Sequence, residues 1–315
     1  MNDLEEAVLK TVLYADIFSF PLTAAEIHHF LIADRPYALA DIQGALESSA
    51  ALRVHLEQRD GFVACKGRDG LVTTRLERDQ AATALLPAAL SYGRLLAALP
   101  FVRMVGLTGA LAMRNPAHVT DDIDYVLVTA PGRVWTARAF AIVLVRLGRL
   151  RGVTLCPNYV LSETTLSHAP GNLYIAHEVT QVLPLFGREI YDALRAENPW
   201  VADCMPNAMH PFHAVPMSQP GTGLRLLKSA LEALLSGWLG DRFEAWEFRR
   251  KQAKFAAQMQ QREDHAAQID AERVKGHFND HGHPVLRQYI ERLARYGLNH
   301  SSPRDYRSAE MPAAD

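Results

Sequence analysis

Residues 109–129, GALAMRNPAHVTDDIDYVLVT, carry the reading of the fold, because they set three acids, Asp121, Asp122 and Asp124, at the mouth of an apolar run. IDYVLVT has the composition of a buried strand. Side chains alternate faces along a strand, so Asp122 and Asp124 point one way while Ile123, Tyr125 and Leu127 point the other. Their Cα atoms are expected about 6.6 Å apart, at roughly 3.3 Å per residue. Two carboxylates at that spacing repel each other unless they converge on a cation, and Mg²⁺ commonly takes one or two carboxylates together with phosphate oxygens and water. Asp121 is expected only to support the turn. Just upstream, GLTGALA places Gly106 and Gly109 after an apolar strand and before a helix-like ALAMRN. A small-residue turn of this kind lets backbone N–H groups approach a phosphate chain, with a helix N-terminus behind them.

Around this stretch the chain alternates strand and helix: RMVGLTG reads as a strand into a turn, VWTARAFAIVLVRLGRL as a helix and VTLCPNYVL as another strand, an α/β unit beginning near Pro100. Toward the N-terminus, LEEAVLKTVLYADIF has helical spacing. Thr23 and Glu26 form a capping box opening a second helix, and a third begins near Leu39. VHLEQ and GFVACKG then read as a hairpin around Arg59 and Asp60, and three helices with a hairpin predict a winged helix over 1–80. A linking helix over 81–99, with a kink at Pro87, joins it to the central unit over 100–205. From Ala176 onward the pattern is helical. A linker, HPFHAVPMSQPGTG, leads to a helix with apolar residues at Leu224, Leu227, Leu231, Leu234 and Trp238, so 222–300 is expected to be a helical region and 301–315 a disordered tail. The expected class is therefore α+β: an N-terminal winged helix, a central mixed sheet with flanking helices and a C-terminal helical region.

The 315 residues carry a net charge of −2 and 49% hydrophobic residues, enough for a sizeable core. Three cysteines, Cys65, Cys156 and Cys204, are too few and too scattered for a disulfide or zinc framework, and a reduced compartment is expected. MNDLEEAVLK is acidic where a signal peptide is basic, and the longest apolar run, AFAIVLV, is far below spanning length. These features predict a soluble, cytoplasmic protein with no membrane partner.

The spacing Thr108-Gly109-Ala110, eleven residues, then Asp122-Ile123-Asp124-Tyr125 resembles the signature of the DNA polymerase beta-like nucleotidyltransferase superfamily. The likeness is concentrated in residues 100–165. The wider chain, from YADIFSFPLT to CPNYVL, looks like bacterial proteins that place a winged helix before such a domain. The resemblance implies a nucleotidyltransferase-like sheet and transfer of a nucleoside monophosphate from a nucleoside triphosphate, such as ATP, to a hydroxyl acceptor. The reaction uses Mg²⁺ or Mn²⁺ and loses pyrophosphate. It implies that Asp122 and Asp124 are catalytic metal ligands and that Thr108, Gly109 and Ala110 form the phosphate turn. Ala110 stands where the family has Ser. The family's third carboxylate belongs on a later strand, where VTLCPNYVL offers Asn158, a carbonyl-bearing metal ligand, with the acid Glu163 just beyond. Arg114, Arg133 and Arg138 are candidates for the triphosphate, since guanidinium groups match phosphate geometry.

Other readings compete. The alternative on the same fold is an inactive nucleotide-binding or protein-interaction module. A DNA-binding regulator fits less well: residues 1–80 hold eight basic and thirteen acidic side chains, and LADIQGALESSA has no basic residue. The acceptor is accordingly expected to be a small molecule or protein rather than DNA. KGHFNDHGH gathers His277, His281 and His283, yet its glycines suit a polar loop. HEVTQ at 177 has Gln181 where a zinc protease helix needs His. FRRKQAK, 248–254, reads as a solvated helix face.

Overall fold

A computed structural model describes residues 1–169, 171–217, 219–259, 269–275 and 282–298; the expected tail, His277 and His281 lie outside these. Helix α1 (Asp3–Asp16) opens on an Asn2–Glu5 capping box and is followed by β1 (Leu22–Thr23) and α2 (Ala24–His29). Thr23 caps α2 as expected: its hydroxyl accepts from Glu26 N–H, and Glu26 accepts from Thr23 N–H in return. The third helical pattern is split. Ser49 is extended and ends α3 (Leu39–Ser48), while its hydroxyl accepts from Leu52 N–H to start α4 (Ala50–His55). The hairpin β2 (Leu56–Arg59) and β3 (Phe62–Cys65) turns at Asp60 and Gly61, both at positive φ, and adds β1 to give a three-stranded antiparallel sheet, β1-β3-β2.

Pro87 lies inside the long helix α5 (Leu71–Ala97), which leads to β4 (Val102–Leu107), the single turn α6 (Gly109–Ala112), β5 (Ile123–Thr129), α7 (Val134–Arg149) and β6 (Leu155–Ser162). After α8 (Leu173–Gln181) the chain departs from the helical pattern expected beyond Ala176. Residues Leu183–Phe186 form β7, ahead of α9 (Arg188–Ala196), α10 (Thr222–Leu235) and α11 (Trp238–Met259). The C-terminal region is likewise not wholly helical, since β8 (Arg273–Lys275) precedes α12 (Gly282–Arg295). The two unforeseen strands border a mixed sheet, β7-β4-β5-β6-β8, in which only β5 and β6 run parallel. The chain is thus α+β.

The sheet's two faces differ. Tyr125 and Leu127 pack under α5 and α7 in a fully buried cluster, and the Tyr125 hydroxyl donates to Ala89 O at 2.8 Å. Val126 and Val128 face the other way, toward Tyr191 and Leu194 of α9. Gly106 is a strand residue rather than part of the turn; a Cβ there would press on Val182 and Val126, so it lets β4 nest between β5 and β7. A further cluster joins α1 to α4 with Leu173 and Ala176 of α8 and Leu286 and Tyr289 of α12, so one buried core runs across the expected boundary at residue 80. Arg75 of α5 locks the same junction, paired with Glu26 at 2.6 Å and donating to Arg114 O.

Helix α10 reverses the expected arrangement. Lys228 donates to Ala97 O and Val102 O, and Glu232 accepts from Phe101 N–H, so polar groups hold it to the sheet domain. Of the stripe read from spacing, Leu224, Leu227 and Leu234 are exposed and Leu231 is half-buried, and the exposed Trp238 opens α11 rather than continuing α10. Helix α11 packs on α7, where Glu244 accepts from the N–H groups of Trp135 and Thr136 and so satisfies two free donors of that helix's first turn. No helix among the described residues is long and apolar enough to cross a membrane.

Candidate functional site

The edge of β5 carries the acids. Asp122 precedes the strand and Asp124 is its second residue, on the face of Val126 that α9 leaves uncovered. Their side chains meet on the same side, as strand alternation requires. With Cys156, directly opposite Asp124 on β6, each offers one donor atom within 4.8 Å of the other two. Asp121 plays a separate part, since its carboxylate accepts from Ala117 N–H at 2.6 Å and closes the preceding loop.

Gly109 lies against the second acid. Its φ of +66° is the left-handed region that favours glycine, and a Cβ there would overlap Asp124 Oδ2. The close approach fixes the turn beside the carboxylate, while Thr108 N–H donates to Asp124 O at 3.0 Å. The helix behind the turn has four residues, so the electrostatic help expected from its N-terminus is small and the backbone donors of the turn matter more.

Asn158 reaches the site through an irregularity. Tyr125 pairs with Pro157 and Val126 with Tyr159, leaving Asn158 as the extra residue of a bulge, a device that re-aims a side chain. Its amide nitrogen donates to Asp124 Oδ1. The residue that the sequence suggests as a carbonyl metal ligand thus lies beside the Asp124 carboxylate, bonded to it through its N–H.

Burial raises the Asp124 carboxyl to about 7; the charge of Asp122 adds to the rise, the Asn158 hydrogen bond opposes it and Glu178 adds a smaller push. Burial also lifts the Cys156 thiol to about 12, helped by a hydrogen bond with Asp122, so it remains a thiol at neutral pH. The two carboxylates suit a hard cation, which prefers oxygen donors, and the Cys156 thiol lies next to them.

A cavity of about 780 Å³ opens beside these residues, between the sheet face, α1 and α8. Asp124, Gly109, Ala110, Thr108 and Asn158 line it. So do Glu178 and Lys275, which sequence reasoning did not single out. Glu178 is wetted by the cavity yet enclosed by protein, which raises its carboxyl above the usual range, and Lys275 opposes the rise. Glu178 lies in HEVTQ and Lys275 opens KGHFNDHGH; both stretches stand out in the sequence for their histidines, and only folding brings the acid and the cation to the cavity that Asp124 lines.

Four of the expected site residues lie elsewhere. Glu163 N–H donates to Thr129 O, five residues along β5 from Asp124 and about 16 Å away at strand rise, so it does not stand beside the first two acids. Arg114 is paired with Asp79 and donates to Thr83 at 2.7 Å, tying its loop to α5. Arg133 pairs with Asp241 of α11 at 2.6 Å, and Arg138 lies over the Trp135 ring. None of the three arginines lines the cavity. No family model, curated protein or solved structure matches this chain.

Proposed function

We propose that the chain is a nucleotidyltransferase that moves a nucleoside monophosphate from a nucleoside triphosphate to a hydroxyl acceptor, releasing pyrophosphate. The observation that carries this reading is the convergence of Asp122 and Asp124 beside the Gly109 turn, with Asp124 and Gly109 lining the cavity. The order of helices and hairpin in the first 65 residues supports a winged helix preceding the transferase unit. In this reading Asp122 and Asp124 hold Mg²⁺, which supplies charge neutralisation for the triphosphate and activates the attacking hydroxyl. The backbone N–H groups of Gly109 and Ala110 donate to phosphate oxygens without needing the hydroxyl that Ala110 lacks, while the Thr108 N–H holds the turn to Asp124 O. Lys275 and Arg273, both on β8 and both lining the cavity, provide the cations, a role the sequence suggested for Arg114, Arg133 and Arg138. Asn158 steadies Asp124 through its amide. Glu178 takes the proton of the acceptor hydroxyl at its carboxylate as the acceptor oxygen bonds to the α-phosphorus and the bond to the leaving pyrophosphate breaks.

A second reading, nucleotide binding without turnover, draws on the remoteness of Glu163, which leaves the sheet with two acids rather than three. Pyrophosphate release separates them. Incubation with each nucleoside triphosphate, Mg²⁺ and pools of hydroxylated small molecules or proteins yields pyrophosphate and a labelled acceptor if the first reading holds. Nucleotide binding with no product from any pool leaves the second.

A further inference from the structure

Tyr14 of α1, Phe18 just past the end of that helix, Phe20 and Phe30 give the cavity an aromatic lobe. Into this aromatic lining α8 projects His177, stacked on Tyr14 with ring centroids 4.0 Å apart and planes 6° apart, and lying 6.0 Å from the Phe30 ring. His177 is 5% exposed, and neither ring nitrogen has a hydrogen-bond partner among the described residues. The Thr11 hydroxyl, which also lines the cavity, is already committed, donating to Ala7 O and accepting from Ile32 N–H. Buried polar atoms are normally satisfied, and a buried ring with two vacant nitrogens on the wall of a roomy cavity is the exception that a ligand explains. Its neighbours are flat and apolar, which sets the shape of what fits.

We propose that this lobe binds the acceptor, and that the acceptor is a small molecule with a flat ring held among Tyr14, Phe18 and Phe30 and one polar group hydrogen-bonded to His177. Naming the occupant the acceptor rests on the transferase reading; the binding site itself does not. The N-terminal helices then serve as a wall of the substrate pocket rather than as a nucleic-acid reader, in keeping with the acidic balance of residues 1–80. A hydroxyl at the ligand's other end points along the cavity toward Asp124 and Glu178.

Indole and 1-methylindole are matched probes: both are flat and apolar, but only indole has an N–H for a neutral imidazole nitrogen. Calorimetric titration of the full-length protein, without nucleotide, is expected to show indole binding at least tenfold more tightly than 1-methylindole. That preference is lost in His177→Phe, which keeps a stacked ring and removes the nitrogens. Nitrogen NMR of the native protein provides a readout that does not depend on the variant's folding, with the His177 ring resonances shifting on indole addition. No binding of either probe at millimolar concentration overturns the proposal, as does an indole preference that leaves the His177 resonances unmoved. Mg²⁺–ATP titration in the same preparation separates the two readings. Indole binding with no nucleotide binding keeps the lobe and removes the transferase, and nucleotide binding with no indole binding does the reverse.

Discussion

Gly109 is where a single atom matters most. An added Cβ meets both a positive φ and the Asp124 carboxylate, so Gly109→Ala is expected to cost about 1–3 kcal/mol in urea unfolding and to weaken nucleotide binding by displacing Asp124. Glu178 and Glu163 give a sharper comparison. The sequence pointed to Glu163, because it follows the strand that should carry a third acid. Chain proximity cannot reveal that it sits at the opposite end of that strand, while a helix residue, Glu178, lines the same cavity as Asp124. Glu178→Gln is expected to lower turnover about 10²-fold or more with nucleotide affinity little changed, and Glu163→Gln to leave both near native values, as measured by single-turnover pyrophosphate release. Asp122 and Asp124 themselves were legible, because a period of two fixes their common face whatever surrounds the strand.

Elements with strong local signals were readable in the same way: the Thr23–Glu26 capping box, the hairpin through Gly61 and the apolar run of β5. β7 was not, because its four residues, LPLF, contain Pro184 and follow a helix without a turn signal. β8 has three residues, and its place beside β6 depends on a partner more than a hundred positions earlier. Polarity misled at α10, where Leu224, Leu226, Leu227 and Leu234 are exposed while Lys228 and Glu232 hold the helix to the protein. The junction between α2 and α5 rests on one buried ion pair, Glu26 with Arg75, whose guanidinium also lies 3.9 Å from the Phe20 ring centroid. Arg75→Met leaves Glu26 buried and unpaired and is expected to destabilise the fold by about 3–5 kcal/mol in urea unfolding. Adding Glu26→Gln should return part of that loss, because a neutral amide is less costly to bury.

For the whole molecule, the shared core of α1, α8 and α12 makes acid a global perturbant through His177. Burial pushes its ring down to about 3, so the folded state resists a proton that the unfolded chain accepts near 6.5. His177 therefore leaves stability undiminished above about 6.5 and subtracts from it progressively as pH falls toward 3. Asp124 has the opposite sign, since its folded carboxyl is raised and binds a proton before the unfolded chain does. Comparing native protein with His177→Phe cancels that contribution. The native protein should lose about 1.4 kcal/mol relative to the variant for each pH unit below about 6, read from urea midpoints between pH 7.5 and 4.5. The cavity that encloses His177 draws on residues from Thr11 to Val285, so composition and local pattern could suggest a cation site on β5 but not the pocket built around it.

The most direct test of the account is calorimetric titration of ATP into the full-length protein with and without Mg²⁺, repeated on Asp122→Ala and Asp124→Ala with their fold checked by circular dichroism. A triphosphate beside two carboxylates is repelled until a cation bridges them. The native protein should therefore bind ATP at least tenfold more tightly with Mg²⁺ than without, and each variant should lose that gain while remaining folded. Mg²⁺-independent binding, or folded variants that bind Mg²⁺–ATP as the native protein does, would contradict it.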